Sequence, residues 1–186
     1  MVAEIVRFRF TADEYEQMIA ARILTEEDRV ELIDGEIIEM SPLNVRHAAC
    51  VKRLNALFSV RLADRAIISV QDPIRIDVNS QPQPDIALLH RRSDFYEKGH
   101  PEPEDIILIV EVAESSAQYD RDVKASLYAR AGIAEYWLAD LTEGRVEVRL
   151  DPEDGQYRTL QVLGKRDTIS PVAFPEVLPA IDAFLA

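Results

Sequence analysis

The chain has 186 residues, 47% hydrophobic and 30% charged, which suits a soluble globular protein large enough to bury a core, organised as one domain over residues 1–186. A net charge of -13 argues against a general nucleic-acid binder, and a single cysteine, Cys50, excludes an internal disulfide. MVAEIVRFRF lacks the basic start and apolar run of a leader, and no stretch reaches the ~18 apolar residues of a membrane span. A cytoplasmic protein with no membrane association is expected. The charge is uneven: -7 over residues 1–45, +4 over 46–92 and -10 over 93–186. The basic middle suits either phosphate contact or a solvated helix face.

In chain order, Thr11 with Glu14 three residues on predicts a capping box and a short helix over 11–22. Two β-type runs, Val30–Ile33 and Glu36–Met40, flank Asp34-Gly35 and predict a hairpin that Ser41-Pro42 ends. Residues 44–64 read as a helix, with Val51, Leu54, Phe58 and Leu62 on one stripe and Lys52, Arg53, Arg61 and Arg65 off it. Cys50 falls in this helix and reads as a buried, inert thiol. After the Asp72-Pro73 break, strands are predicted over 73–78 and 85–90, with a turn at 79–83. Residues 91–105 read as a polar, proline-rich loop. Ile106–Ala113 is the most apolar run and predicts a central strand covered on both faces. Ser115-Ser116 opens a helix over 117–131, closed by Gly132. Strands over 134–139, 145–150 and 156–163 follow, then a short C-terminal helix after Pro171. This order predicts an α/β (α+β) fold: a mixed sheet flanked by helices, with an N-terminal β-hairpin.

Within the most apolar strand stands Glu111, between Val110 and Val112. A carboxylate there costs several kcal/mol unless partnered. It is either a strand-end acid paired with an arginine or half of a metal site. Asp85 opens the strand IALLH behind Pro84, and neighbouring strands could bring both acids to one end of the sheet. Two carboxylates form a hard oxygen site suited to Mg²⁺ or Mn²⁺. Asp120, Lys124 and Tyr128, spaced four apart, share one helix face soon after Glu111. Lys124 then either reaches the carboxylate pair or is a solvated partner of Asp120.

Pro84-Asp85, Val110-Glu111-Val112, Tyr119-Asp120-Arg121-Asp122-Val123-Lys124 and Tyr128 to Leu138 together resemble the Uma-type family, restriction-endonuclease-like proteins of the PD-(D/E)xK nuclease superfamily. Glu31 to Ile37, Ser41-Pro42 and His47 are similar to that family too, so the resemblance spans about residues 8–185. The superfamily's usual lysine position, two after the glutamate, holds Ala113 here, and the resemblance moves the lysine to Lys124. It implies a restriction-endonuclease-like fold and Mg²⁺-dependent (or Mn²⁺-dependent) hydrolysis of DNA phosphodiesters. Asp85, Glu111 and the Val112 carbonyl would hold the ion, and Glu31 would assist through water or a second ion. Lys124 would orient the attacking water or offset charge. His47, near a helix start, would serve the site or simply cap or pack. A short nuclease of this kind needs a second subunit to span a duplex, so a homodimer is expected. The alternative is a catalytically silent nuclease fold that binds DNA or protein.

Overall fold

The computed structural model describes residues 6–25, 27–42 and 44–185. The first five residues, on which the expectation of no leader partly rests, lie outside these.

Helix α1 (Ala12–Ala20) begins as the capping box predicts: the Thr11 hydroxyl accepts from the Glu14 amide at 3.2 Å, and Glu14 accepts from the Thr11 amide at 2.8 Å. β1 (Val30–Ile33) and β2 (Glu36–Glu39) pair antiparallel around Asp34-Gly35, both with positive φ. Helix α2 (Val45–Leu62) is capped by the Asn44 side chain and buries the predicted stripe, with Cys50 beside it. Burial pushes the Cys50 thiol up to about 12, which suits an inert thiol.

The main sheet runs β3 (Ile67–Val70), β4 (Ile86–Leu89), β5 (Ile106–Ala113), β6 (Glu135–Asp140), β7 (Arg145–Glu153) and β8 (Gln156–Gly164), in that spatial order. Only β5 and β6 are parallel. Between them α3 (Ala117–Tyr119) passes through a π turn (Asp120–Lys124) into α4 (Ala125–Arg130), so the predicted single helix carries a wider turn in its middle.

The stretch 73–78 is not the predicted strand. Its amides bond irregularly, Ile74 to the Pro82 carbonyl and Arg75 to that of Pro101, because Pro73, Pro82 and Pro84 cannot donate to a ladder. The partner of β4 is instead β3, whose Ile67-Ile68-Ser69-Val70 went unassigned in the sequence. The predicted C-terminal helix is a single 3₁₀ turn at Ile181–Ala183.

Each face of the sheet has its own core. α2 and the C-terminal segment cover Leu108, Val110, Trp137 and Ala139 with Leu54, Phe58 and Phe184. α4 and the hairpin cover Ile109, Tyr136 and Leu138 with Ile33, Leu127 and Tyr128. β5 is therefore buried on both sides, as its composition predicts. The period of two along β5 places Glu111 on the α4 face, between Ile109 and Ala113. No helix among the described residues is long and apolar enough to cross a membrane.

Candidate active site

The site forms where β4 begins and β5 ends. The antiparallel register sets Ile86 opposite Val110, so Asp85 and Glu111 meet at one end of adjacent strands. The Asp85 amide points at Glu111 Oε2 at 3.4 Å, and the Val112 amide donates to Asp85 Oδ2 at 2.9 Å. The N–H and C=O of one strand residue point the same way, so the Val112 carbonyl also turns toward β4.

Lys124 comes down from the π turn. Its ammonium lies 3.0 Å from Glu111 Oε1 and 3.1 Å from Glu31 Oε2. Glu31 arrives from β1, with the Gln83 amide donating to it at 3.1 Å. The Tyr128 hydroxyl donates to Glu111 Oε1 at 2.7 Å. Asp120, which also lines the cleft, accepts from the Ser116 hydroxyl at 2.8 Å. The wider π turn lets Asp120 and Lys124, at its two ends, both sink into the interior. Lys124 is thus not a solvated partner of Asp120, and Glu111 pairs with a lysine rather than an arginine.

His47, in the first turn of α2, touches Asp85 directly: Nε2 lies 2.9 Å from Oδ2. Its other ring nitrogen, Nδ1, is buried with no hydrogen-bond partner among the described residues. Gln71 holds the other oxygen, donating Nε2 to Asp85 Oδ1 at 3.0 Å. Nothing in the sequence singles out Gln71; it lies on an unassigned stretch before Asp72-Pro73. The π turn is likewise invisible in the helical spacing.

The electrostatics are one-sided. Glu31, Asp85, Glu111 and Asp120 are between 3% and 8% exposed, and Lys124 is the one lysine buried among them. Burial raises the Glu111 carboxyl to about 8; Lys124 opposes this, while Asp120, Asp85 and Glu31 add to it. Burial also raises Asp120, against the pull of Lys124. For Lys124 burial works downward, but Glu111, Glu31 and Asp120 outweigh it and hold the ammonium charged, well above its ordinary range. These side chains face a cleft of about 310 Å³, which the Tyr119 ring also lines.

An oxygen-only donor set with surplus negative charge fits a hard divalent cation. Among the described residues no three His, Cys, Asp or Glu side chains gather into a metal cage. Mg²⁺ needs only one or two carboxylates and keeps several waters, so Asp85, Glu111 and the Val112 carbonyl fit that mode.

The sequence model of the Uma2 family, described as "Putative restriction endonuclease", matches residues 12–181. The chain belongs to the Uma2 family. No curated protein matches it. Among solved structures it is similar to a protein from Anabaena variabilis ATCC 29413 described as a putative nuclease belonging to DUF820, at 18% identity and a TM-score of 0.72. The match covers 95% of this chain and 97% of that one, so the two share a fold. The family and this neighbour agree with the restriction-endonuclease-like architecture expected from the sequence.

Proposed function

We propose that this Uma2-family protein is a divalent-metal-dependent endonuclease that hydrolyses DNA phosphodiester bonds, a cytoplasmic homodimer of one-domain subunits. The observation that carries this reading is Lys124, buried between Glu111 and Glu31 beside Asp85. Asp85, Glu111 and the Val112 carbonyl would hold Mg²⁺ or Mn²⁺. Once bound, the ion would polarise a phosphoryl oxygen and acidify a water.

The chain's own residues have separate tasks. His47 and Gln71 fix the two Asp85 oxygens, and Tyr128 fixes Glu111, so both acids are oriented before any ligand arrives. The two carboxylates on Lys124 keep it charged and directed at the cleft, where it would position the attacking water and offset charge developing on the phosphoryl group. Glu31 keeps this lysine in place. Burial removes water that would weaken these interactions.

The test is cleavage of supercoiled plasmid and of single-stranded DNA with Mg²⁺ or Mn²⁺, beside Asp85→Ala. Metal-dependent nicking that the variant loses supports the reading. No cleavage, with no metal binding by calorimetry, overturns it. A silent fold that binds DNA or protein is the second reading, favoured by the net charge of -13; DNA binding without cleavage would select it. Sedimentation at micromolar protein, with and without duplex DNA, tests the dimer, and a monomer under both conditions would remove it.

A further inference from the structure

The main sheet has two edges, and the chain treats them differently. β3, at one edge, is four residues long, and the chain leaves it through Gln71, at a φ of +56°, and Pro73. A short strand, a kink and a proline are common means of keeping an edge from pairing. β8, at the other edge, runs nine residues, Gln156–Gly164, without a proline or a lysine. Among the described residues no backbone group outside the β7–β8 ladder bonds residues 156–163.

β8 also holds apolar side chains in water. Leu160 and Val162 are 52% and 53% exposed. Two residues apart, they stand on one face, across from Arg149 and Glu147 of β7. A lone exposed apolar side chain is ordinary, but a pair of them on a bare strand edge is a place to add a strand. Charge says which strand. The chain carries -13, so most surfaces of two copies repel. Residues 155–166, however, hold three basic side chains and no acid. One of the three, Arg158, is bound back to Glu153 at 2.7 Å. Two copies can therefore meet along β8 without opposing carboxylates.

An antiparallel pair of identical strands is two-fold symmetric, so its centre fixes every contact. Centring on Gln161 sets Leu160 opposite Val162 of the partner subunit, twice over, and Arg158 opposite the partner's Gly164. Centring on Leu160 would set Val162 against the partner's Arg158, and centring on Val162 would set Leu160 against the partner's Gly164. Of the three, the first covers both apolar side chains with apolar ones and keeps the two arginines apart. We propose that a second copy of this chain pairs with β8, antiparallel about Gln161, joining the two six-stranded sheets into one. The proposal rests on the homodimer reading and names its surface; it does not rest on catalysis.

The test is sedimentation equilibrium at micromolar protein, with oxidative crosslinking to read the register. The wild type should be dimeric. Leu160→Glu sets a carboxylate beside its own Arg149, which the fold accommodates, but opposite Val162 of the partner subunit. It should weaken self-association roughly a hundredfold, with an unchanged circular dichroism spectrum. Gln161→Cys should form an intersubunit disulfide under mild oxidant, because directly opposite Cβ atoms lie about 5 Å apart. Arg158→Cys should not, because in this register the two copies of position 158 lie about 20 Å apart along the strands. The native Cys50 is buried and does not interfere. A monomeric wild type, a Leu160→Glu chain that dimerises as the wild type does, or equal crosslinking at positions 158 and 161 overturns the proposal. Plasmid nicking is read on the same samples. A dimer that Leu160→Glu leaves intact sinks this surface and leaves the dimer standing. A monomer that nicks DNA sinks the dimer and this surface together and leaves the nuclease reading standing. A Leu160-dependent dimer that cuts nothing does the reverse.

Discussion

Two buried ion networks flank the parallel pair β5–β6, and one π turn supplies a cation to each. On one side Lys124 meets Glu111 and Glu31, with Asp85 and Asp120 close by. On the other Arg121 bridges Asp140 at 2.5 Å and Glu147 at 2.7 Å, and Glu147 also meets Arg149 at 2.8 Å and Arg145 at 3.4 Å. The second network sets three arginines against two acids, and its arginines are partly wet. The first sets four acids against one lysine and a histidine, nearly dry. A network in which every acid meets an arginine holds strands together and leaves no negative charge over. An acid-rich one leaves negative charge for something outside the chain to neutralise. This contrast separates the structural network from the candidate catalytic one without reference to any relative.

The contrast can be broken by changing one member of each network. The largest effect is expected for Glu111→Gln, which should cut metal-dependent cleavage roughly a thousandfold or more while folding stays intact. Plasmid nicking beside circular dichroism reads this, and unchanged nicking would count against the site. Next is Glu147→Ala, which strands Arg121 and Arg149; stability should fall by roughly 3 kcal/mol in urea unfolding, with metal binding unaltered. Lys124→Met should cost a similar amount, roughly 3 kcal/mol at pH 8, but less at pH 6, where Glu111 already holds its proton and less charge is left unpaired.

The pH dependence sharpens the same point. The Glu111 carboxyl is raised from its ordinary 4.5 to about 8 in the fold. Above 4.5 the unfolded chain has lost this proton and the folded chain keeps it, so raising the pH favours unfolding until the folded group also ionises. The metal-free protein should therefore lose thermal stability from about pH 4.5 to pH 8, and Glu111→Gln should flatten that slope. Mg²⁺ should restore stability most at the alkaline end, because it binds the ionised acid. Thermal melts in chelator and in Mg²⁺ across this range decide it. The smallest effect belongs to a pair outside both networks. Arg130 and Asp34 meet at 2.7 Å but are each nearly half exposed, so Arg130→Ala should cost under about 0.5 kcal/mol in urea unfolding.

Much of the fold was legible in short-range patterns. Thr11 with Glu14, the Asp34-Gly35 turn, the α2 stripe and the apolar β5 run are each local rules that tertiary contacts did not override. Residues 67–78 misled because Ile74 and Ile76 alternate with polar residues as a strand would, and both are indeed buried. Their burial does not require a ladder, however, and the prolines around them forbid one. The edge strand at 67–70 offered only four residues, too few for a periodic signal. In the site, Glu111 stood out as a carboxylate in an apolar strand, and Asp85 by opening the next one. Glu31 and the lysine's shift from position 113 to 124 entered only through resemblance. Gln71 carried no signal of its own, because an amide between two strands is ordinary until its neighbours are known.

The sequence by itself determined α1, the hairpin, α2 and β5, the stripe that α2 buries, and that a lone acid inside the most apolar run needed a partner. Backbone geometry and side-chain polarity act over a few residues, so these features survive in the linear pattern. Only the tertiary structure decided the partner. It brought Glu31, Asp85, Glu111 and Lys124 together from β1, the start of β4, β5 and a π turn, and it set four acids against one lysine, all nearly buried, in one cleft. Charge balance in a buried site sums residues far apart in the chain, and no local pattern records that sum.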